Sequence, residues 1–194
     1  MIKKFSELLQ HNRIKLLADT YKEWLAVGSR VLDIGCGDGI LTEALSRKYD
    51  LRITGCDVEK FLLKPIRFVL MKNKNKLPFP DKSFDAVMFN DVLHHTLLPM
   101  QYQLLKEATR IARKSILIFE VRPTAGTGLF DFLLNKAFHP SMNVPFTYRD
   151  KIGWYSLFAR LPAKVDYKEC PTLSFSLFSH MAFRLQKFPH PFLK

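Results

Sequence analysis

Acids are scarce in this chain. Eighteen Asp and Glu stand against 30 Lys and Arg in 194 residues, a formal net charge of +12 with a pI near 9.7. Such a field favours anionic partners, whether nucleic acid, an acidic membrane surface or a phosphorylated substrate, and says nothing about fold. Cysteine is scarcer. Cys36, Cys56 and Cys170 are odd in number, lie far apart and form no C-x-x-C pair or zinc spacing, which fits a reduced, cytoplasmic chain. No run approaches the roughly 20 apolar residues that cross a bilayer. The first 25 residues carry charges throughout and lack the apolar core and small residues of a signal peptide, so neither secretion nor membrane spanning is expected. Internal repeats, low-complexity tracts and linkers are missing too, and a single domain over residues 1–194 is expected, 47% hydrophobic and long enough for a substantial core.

What is present alternates between two periodicities. Residues 5–25 place Leu8, Leu9, Ile14, Leu17, Tyr21 and Trp24 near helical spacing. SRVLDIG then reads as a buried strand and DGILTEALSRKY as a helix. LRITGCD, IRFVLM, FDAVMFN and KSILIFEV are short runs rich in Val, Ile and Phe, expected as central strands of a parallel sheet. LPMQYQLLKEATRIAR has helical spacing between the last two. The series predicts an α/β fold, a doubly wound, mostly parallel sheet with helices on both faces. After Val121 the pattern loosens. Short helices are expected over residues 129–137 and 149–161, and two last strands in AKVDYKECPTL and HMAFRLQK.

Glycine is uncommon, at eight residues, yet Gly35, Gly37 and Gly39 fall at alternate positions in VLDIGCGDGILTEAL, between a strand and a helix. Glycine there allows positive φ and lets a ligand lie against the backbone, while the helix points free N–H groups into the gap. A dinucleotide motif would need glycine where Ile40 stands, and Asp33 would repel a pyrophosphate, so a ligand with a positive group is expected. Asp57 ends the next strand, where a carboxylate can accept both hydroxyls of a ribose.

These residues, with GCDVE, LPFPDKSFDAVMFNDVLHH and LLKEATRIARKSILIFE at matching intervals, resemble the class I, seven-stranded S-adenosylmethionine-dependent methyltransferases, in particular the small-molecule branch that includes ubiquinone and menaquinone biosynthesis methyltransferases. The resemblance covers about residues 28–121. It implies S-adenosyl-L-methionine as cofactor. Asp33 and the backbone of Gly35, Cys36 and Gly37 would hold its amino acid end, Asp57 its ribose and Val58 its adenine. Asn90 and Asp91 would line the sulfonium region, and Asn73 stands where relatives carry an acid toward the adenine. It divides the chain into an N-terminal helical cap (1–27), a cofactor-binding core (28–121), a substrate lid (122–162) and C-terminal strands (163–194).

Methyl transfer is an in-line displacement that requires alignment and, for many acceptors, removal of a proton. His94 and His95, after the fourth strand, and Tyr148, in the aromatic stretch NVPFTYRDKIGWYSLF, are the candidate catalytic residues; no metal ligand set is expected. Of these, His95 is the narrower choice, because it directly precedes the expected helix start. Trp154 and Phe158 are expected to anchor the lid. The expected acceptor is a small apolar or aromatic molecule, such as a lipid or quinone precursor. RNA or protein methylation is the competing reading, suggested by the net charge, and a non-catalytic cofactor-binding member is a third. An Asn-Pro-Pro-aromatic motif after strand four would favour the second, but Asn90, Asp91, Val92 and Leu93 stand there. MKNKNK (71–76) reads as a charged loop. The C-terminal FRLQKFPHPFLK mixes Phe and Lys in a way that suits peripheral contact with an anionic membrane, although its prolines oppose a helix.

Overall fold

The computed structural model describes residues 2–73, 76–124, 128–129, 132–133, 145–170 and 179–188, with side chains in the first helix from residue 10 onward. Helix α1 (Ile2–Tyr21) leads into β1 (Arg30–Ile34), α2 (Ile40–Tyr49), β2 (Arg52–Asp57), β3 (Arg67–Leu70) and β4 (Phe84–Asn90). A short 3₁₀ turn over Leu93–His95 precedes α3 (Leu98–Ile111) and β5 (Ala112–Val121). Helix α4 (Lys151–Phe158), β6 (Ala163–Glu169) and β7 (His180–Lys187) follow. The seven strands lie in the order β3-β2-β1-β4-β5-β7-β6. The first five are parallel, and β7 enters antiparallel between β5 and β6. The doubly wound, mostly parallel sheet read from the sequence is the fold observed.

The alternation of each strand sorts the core into two layers. Leu32 and Ile34 of β1, Val87 and Phe89 of β4 and Ile116 and Ile118 of β5 pack on the side of α3 and α4, with Leu104, Leu105, Trp154 and Phe158. Val31, Met88, Leu117 and Phe119 face the other way, onto α1 and α2 through Leu17, Tyr21 and Leu45. That parity matters for the site. Continued to the carboxyl edge, it turns Asp33 and Asn90 toward α1 and α2 and Glu120 toward α3.

Local signals account for the helix ends. Gly39 (φ 77) leads into α2, and Asp50, in the left-handed region (φ 48), stops it by donating its N–H to the Ser46 carbonyl. α3 has Pro in its first turn, where the missing N–H costs nothing. Asp150 caps α4 by accepting the Gly153 N–H at 2.7 Å.

Three expectations need adjustment. IRFVLM yields β3, an edge strand with both end residues exposed rather than a central buried one. The leading helix stops at Tyr21, and the 149–161 helix covers only Lys151–Phe158. Most of the helix expected over 129–137, the end of AKVDYKECPTL and the last six residues lie outside the described residues. Trp154 and Phe158 are core, as expected.

Candidate active site

The glycine turn joins β1 to α2 at the carboxyl edge of the sheet. Gly35 (φ 74) donates its N–H to the Cys56 carbonyl at 2.8 Å. A Cβ at Gly35 would lie 2.2 Å from Val92 Cγ2, so only glycine lets the exit loop of β4 close onto the turn. Gly37 (φ 53) has nothing within 4 Å of where a Cβ would sit, and its N–H is donated to Asp57 Oδ2 at 2.9 Å. Asp57 is half-buried at the end of β2, and its Oδ1 accepts the Val58 N–H at 2.7 Å. Burial raises the Asp57 carboxyl pKa, against the pull of these backbone bonds. Val58 is 45% exposed beside it. Cys36 is buried against Gly55, with its thiol pushed up by burial. Asn73 is exposed on the turn after β3.

Beneath the turn, Asp33 is 2% exposed and already engaged. Its Oδ2 accepts the Thr42 hydroxyl at 2.6 Å and its Oδ1 the Asn90 amide at 3.1 Å, while Asn90 Oδ1 accepts the Tyr21 hydroxyl at 2.9 Å. The chain of bonds ties α1, β1, α2 and β4 together. Burial pushes the Asp33 carboxyl up to about 7, opposed by the bonds from Thr42 and Asn90. Asp33 and Asn90 are therefore set inside the framework of the turn rather than open to its cavity.

Asp91 lies between α1 and β7. Its backbone is left-handed (φ 55), and its N–H is held by the Phe119 carbonyl at 2.8 Å. Arg13 of α1 donates Nε–H to Asp91 Oδ2 at 3.0 Å and a second N–H to the Asn90 carbonyl at 3.3 Å. His180 of β7 stands 3.3 Å from Asp91 Oδ1. Burial alone would raise the Asp91 carboxyl, but His180 and Arg13 hold it well below the usual carboxylate range.

The histidines sit on the next residues. Glu120, wholly buried at the end of β5, accepts the Val92 and Leu93 N–H groups on Oε1 at 3.1 and 2.7 Å, and its Oε2 lies 2.5 Å from His94 Nδ1. His94 is 2% exposed. His95 packs on it with ring centroids 4.0 Å apart and is more open to solvent. Tyr148 stacks on His94 at 5.3 Å, and Phe146 meets His95 edge-on at 5.5 Å. This aromatic segment is stitched down: Thr147 donates its N–H to the His94 carbonyl at 2.8 Å. The buried Gln101 amide donates to the Leu93 and Thr147 carbonyls and the Thr147 hydroxyl, and accepts from Arg149 at 2.6 Å.

A methyltransferase-domain family model matches residues 32–119. Among curated proteins, the chain is 29% identical over 122 residues to 27-O-demethylrifamycin SV methyltransferase of Amycolatopsis mediterranei, covering 57% of this chain and 41% of that one. It is 34% identical over 83 residues to the ubiquinone biosynthesis O-methyltransferase of Vibrio cholerae, covering 43% and 34%. The chain thus spans less than half the length of either relative. Magnesium protoporphyrin IX methyltransferase from Synechocystis, solved with bound S-adenosylhomocysteine, superposes with a TM-score of 0.69 at 13% identity, over 97% of this chain and 88% of that one. The chain carries a class I S-adenosylmethionine-dependent methyltransferase domain.

S-adenosylmethionine is the cofactor of this methyltransferase domain. The observed turn fits it: the open space over Gly37 and the half-buried Asp57 together make a cradle for a ligand lying on the backbone. Among the described residues, Asp91, His94 and Glu120 bring one metal-ligating atom each within 4.8 Å of one another. In the methyltransferase domain described here these carboxylates meet protein partners instead, Arg13 and His180 for Asp91 and the β4 exit loop for Glu120.

Sequence reasoning passed over four of these residues. Glu120, Arg13, Gln101 and His180 belong to separate elements, and only the strand order and the packing of α1 bring them to Asp91 and His94. The one available signal was the solitary acid in the apolar run ILIFEV.

Proposed function

We propose that this methyltransferase domain transfers the methyl group to a hydroxyl oxygen of a small planar acceptor, with His94 as the general base and Glu120 as the residue that positions it. The Glu120–His94 pair carries this reading. With Oε1 occupied by two backbone N–H groups, Oε2 is left to receive the ring Nδ1–H, so Nε2 carries the lone pair. A hydroxyl needs such a base, and the carboxylate steadies the imidazolium that forms.

The cofactor, when bound, supplies an electrophilic methyl group on a sulfonium. The chain's residues do the rest. Asp57 accepts the ribose hydroxyls, Val58 covers the adenine and the Gly35–Gly37 backbone receives the amino acid end, with Arg13 offering the cation that its carboxylate requires. Asp33 and Asn90 act from beneath, by fixing the turn and the β4 exit. His95, Phe146 and Tyr148 form the wall against which the acceptor lies and exclude water from the transfer. Asn73 reaches the adenine amino group. An aromatic or quinol-like acceptor suits this wall. The names of the two curated relatives, a ubiquinone biosynthesis O-methyltransferase and a rifamycin methyltransferase, support a small-molecule acceptor.

The test is transfer of labelled methyl from S-adenosylmethionine to a panel of catechols, hydroquinones and polyprenylated phenols, alongside transfer RNA. Label on a phenolic oxygen, lost in Glu120→Gln and His94→Ala, is the expected result. Label appearing in RNA and in no phenol would overturn the acceptor class. S-adenosylhomocysteine binding without turnover on any substrate would overturn the catalytic reading.

A further inference from the structure

Eight of the 30 cations share one place in the fold, and it is opposite the active site. At the amino edge of the sheet, taken in spatial order, β3 starts at Arg67, β2 at Arg52 and β1 at Arg30. Lys82 lies two residues before β4, and Arg113 and Lys114 are the second and third residues of β5. β7 ends at Lys187, and β6, running antiparallel to it, has Lys164 as its second residue. Every strand of the sheet thus brings a cation to the same edge. At about 4.8 Å between strands, the row is roughly 29 Å long.

Most of these side chains reach water. Lys114 is 72% and Lys164 69% exposed, and Arg30, Arg52, Arg67 and Lys82 are exposed as well. The acids nearby are few. Asp85 accepts the Arg30 backbone N–H and stands 3.7 Å from Lys114, Asp81 is paired with Arg110, and Asp166 is shared by Arg184 and Lys164. A cleft of about 550 Å³ opens in the middle of the row, between Leu25, Ser29, Lys82, Arg113, Lys187 and Phe188. Beside it two apolar side chains project into solvent, Val27 at 75% and Phe188 at 63% exposure.

We propose that this edge docks on an anionic phospholipid bilayer, with the cations meeting headgroup phosphates and Val27 and Phe188 entering the interface. Exposed apolar side chains among cations are the combination that a charged bilayer rewards, since each Lys or Arg near the surface contributes about 1 kcal/mol and the apolar side chains add hydrophobic burial. A single-stranded nucleic acid would call for several aromatic faces on which successive bases stack, where this edge exposes the one ring of Phe188 among the described residues. The Trp24 ring at this edge is already engaged by Lys168 at 5.0 Å and Arg184 at 5.6 Å. Docking this way leaves the carboxyl edge, with Asp57 and the histidines, facing the aqueous side. The inference is independent of the acceptor and of catalysis.

Co-sedimentation with vesicles tests it, using phosphatidylcholine alone and phosphatidylcholine with about one third phosphatidylglycerol. The expected result is binding to the anionic vesicles only, weakened by salt, with Phe188→Ser reducing it further. Lys114→Glu with Lys164→Glu, both at exposed sites, should lower the partition coefficient about thirtyfold or more while circular dichroism and S-adenosylhomocysteine affinity stay unchanged. Absence of binding to anionic vesicles would overturn the proposal, as would binding that this double variant leaves unaltered. Variant-sensitive binding of a single-stranded RNA without vesicle binding would also overturn it and give the edge to nucleic acid.

Discussion

The two edges of the sheet use charge in opposite ways. At the carboxyl edge Asp33, Asp57, Asp91 and Glu120 are wholly or partly buried, and each accepts hydrogen bonds from a backbone amide or a neighbouring side chain. At the amino edge the cations are more numerous and mostly exposed. A row of cations thus lines one edge and the site the other. In a chain short of acids, the few that lie under the turn and loops fix the geometry, because a buried carboxylate must find its donors and so dictates where they go.

Glu120→Gln breaks this comparison hardest. The amide would donate to His94 Nδ1, reverse the tautomer and leave Nε2 protonated. Turnover should fall by about 10²–10⁴-fold with S-adenosylhomocysteine affinity within a few-fold. Ring ¹⁵N shifts of His94 report the tautomer directly, and a rate loss with an unchanged tautomer would count against the positioning role.

Asp33→Asn is next. The folded protein keeps a proton on Asp33 up to about pH 7 that the unfolded chain releases near 3.8, so the contribution of this residue to stability is full below that range. It declines as pH rises through it and is lost above about 7, by on the order of a few kcal/mol. Chemical denaturation from pH 4 to 8 should show this fall in the parent and a flatter profile in the Asn variant. Gly35→Ala combines a left-handed backbone with a collision against Val92 and should cost about 2–4 kcal/mol, read as a lower denaturation midpoint. Asp57→Ala should weaken cofactor binding by about ten- to a hundredfold in calorimetry while changing stability less. At the far end, Lys114→Glu alone should move stability by no more than about 0.5 kcal/mol, since its side chain is 72% exposed and its ion pair with Asp85 is at the surface.

How much of this was legible in the sequence depended on locality. The glycine turn, Asp57 and the alternating strands and helices are coded within short stretches, so spacing and apolar runs revealed them. IRFVLM read as a central strand because an apolar run carries no information about its neighbours, and β3 has one only on the β2 side. The bonds from Tyr21 to Asn90 to Asp33 join residues 69 and 57 positions apart, and nothing local marks them. Likewise His94 was readable as a candidate but Glu120 was not, since its carboxylate meets the ring only because β4 and β5 pair in register, Asn90 opposite Phe119. His95 was favoured from its place before a helix; the proposed base is its neighbour because the Glu120 carboxylate meets the His94 ring.

The bonds from Thr147 to the loop after β4 carry a kinetic consequence. Its N–H is held by the His94 carbonyl, and Gln101 grips both stretches at once. The segment proposed as the acceptor wall therefore cannot swing outward without pulling on the backbone that carries the proposed base. Admission of an acceptor and disarming of His94 become one event, with a shared rate: relaxation dispersion should report the same exchange constant for residues 93–96 and 145–149. Gln101→Ala removes one of the two grips and should raise the shared exchange constant, while the Thr147 N–H keeps the two stretches coupled.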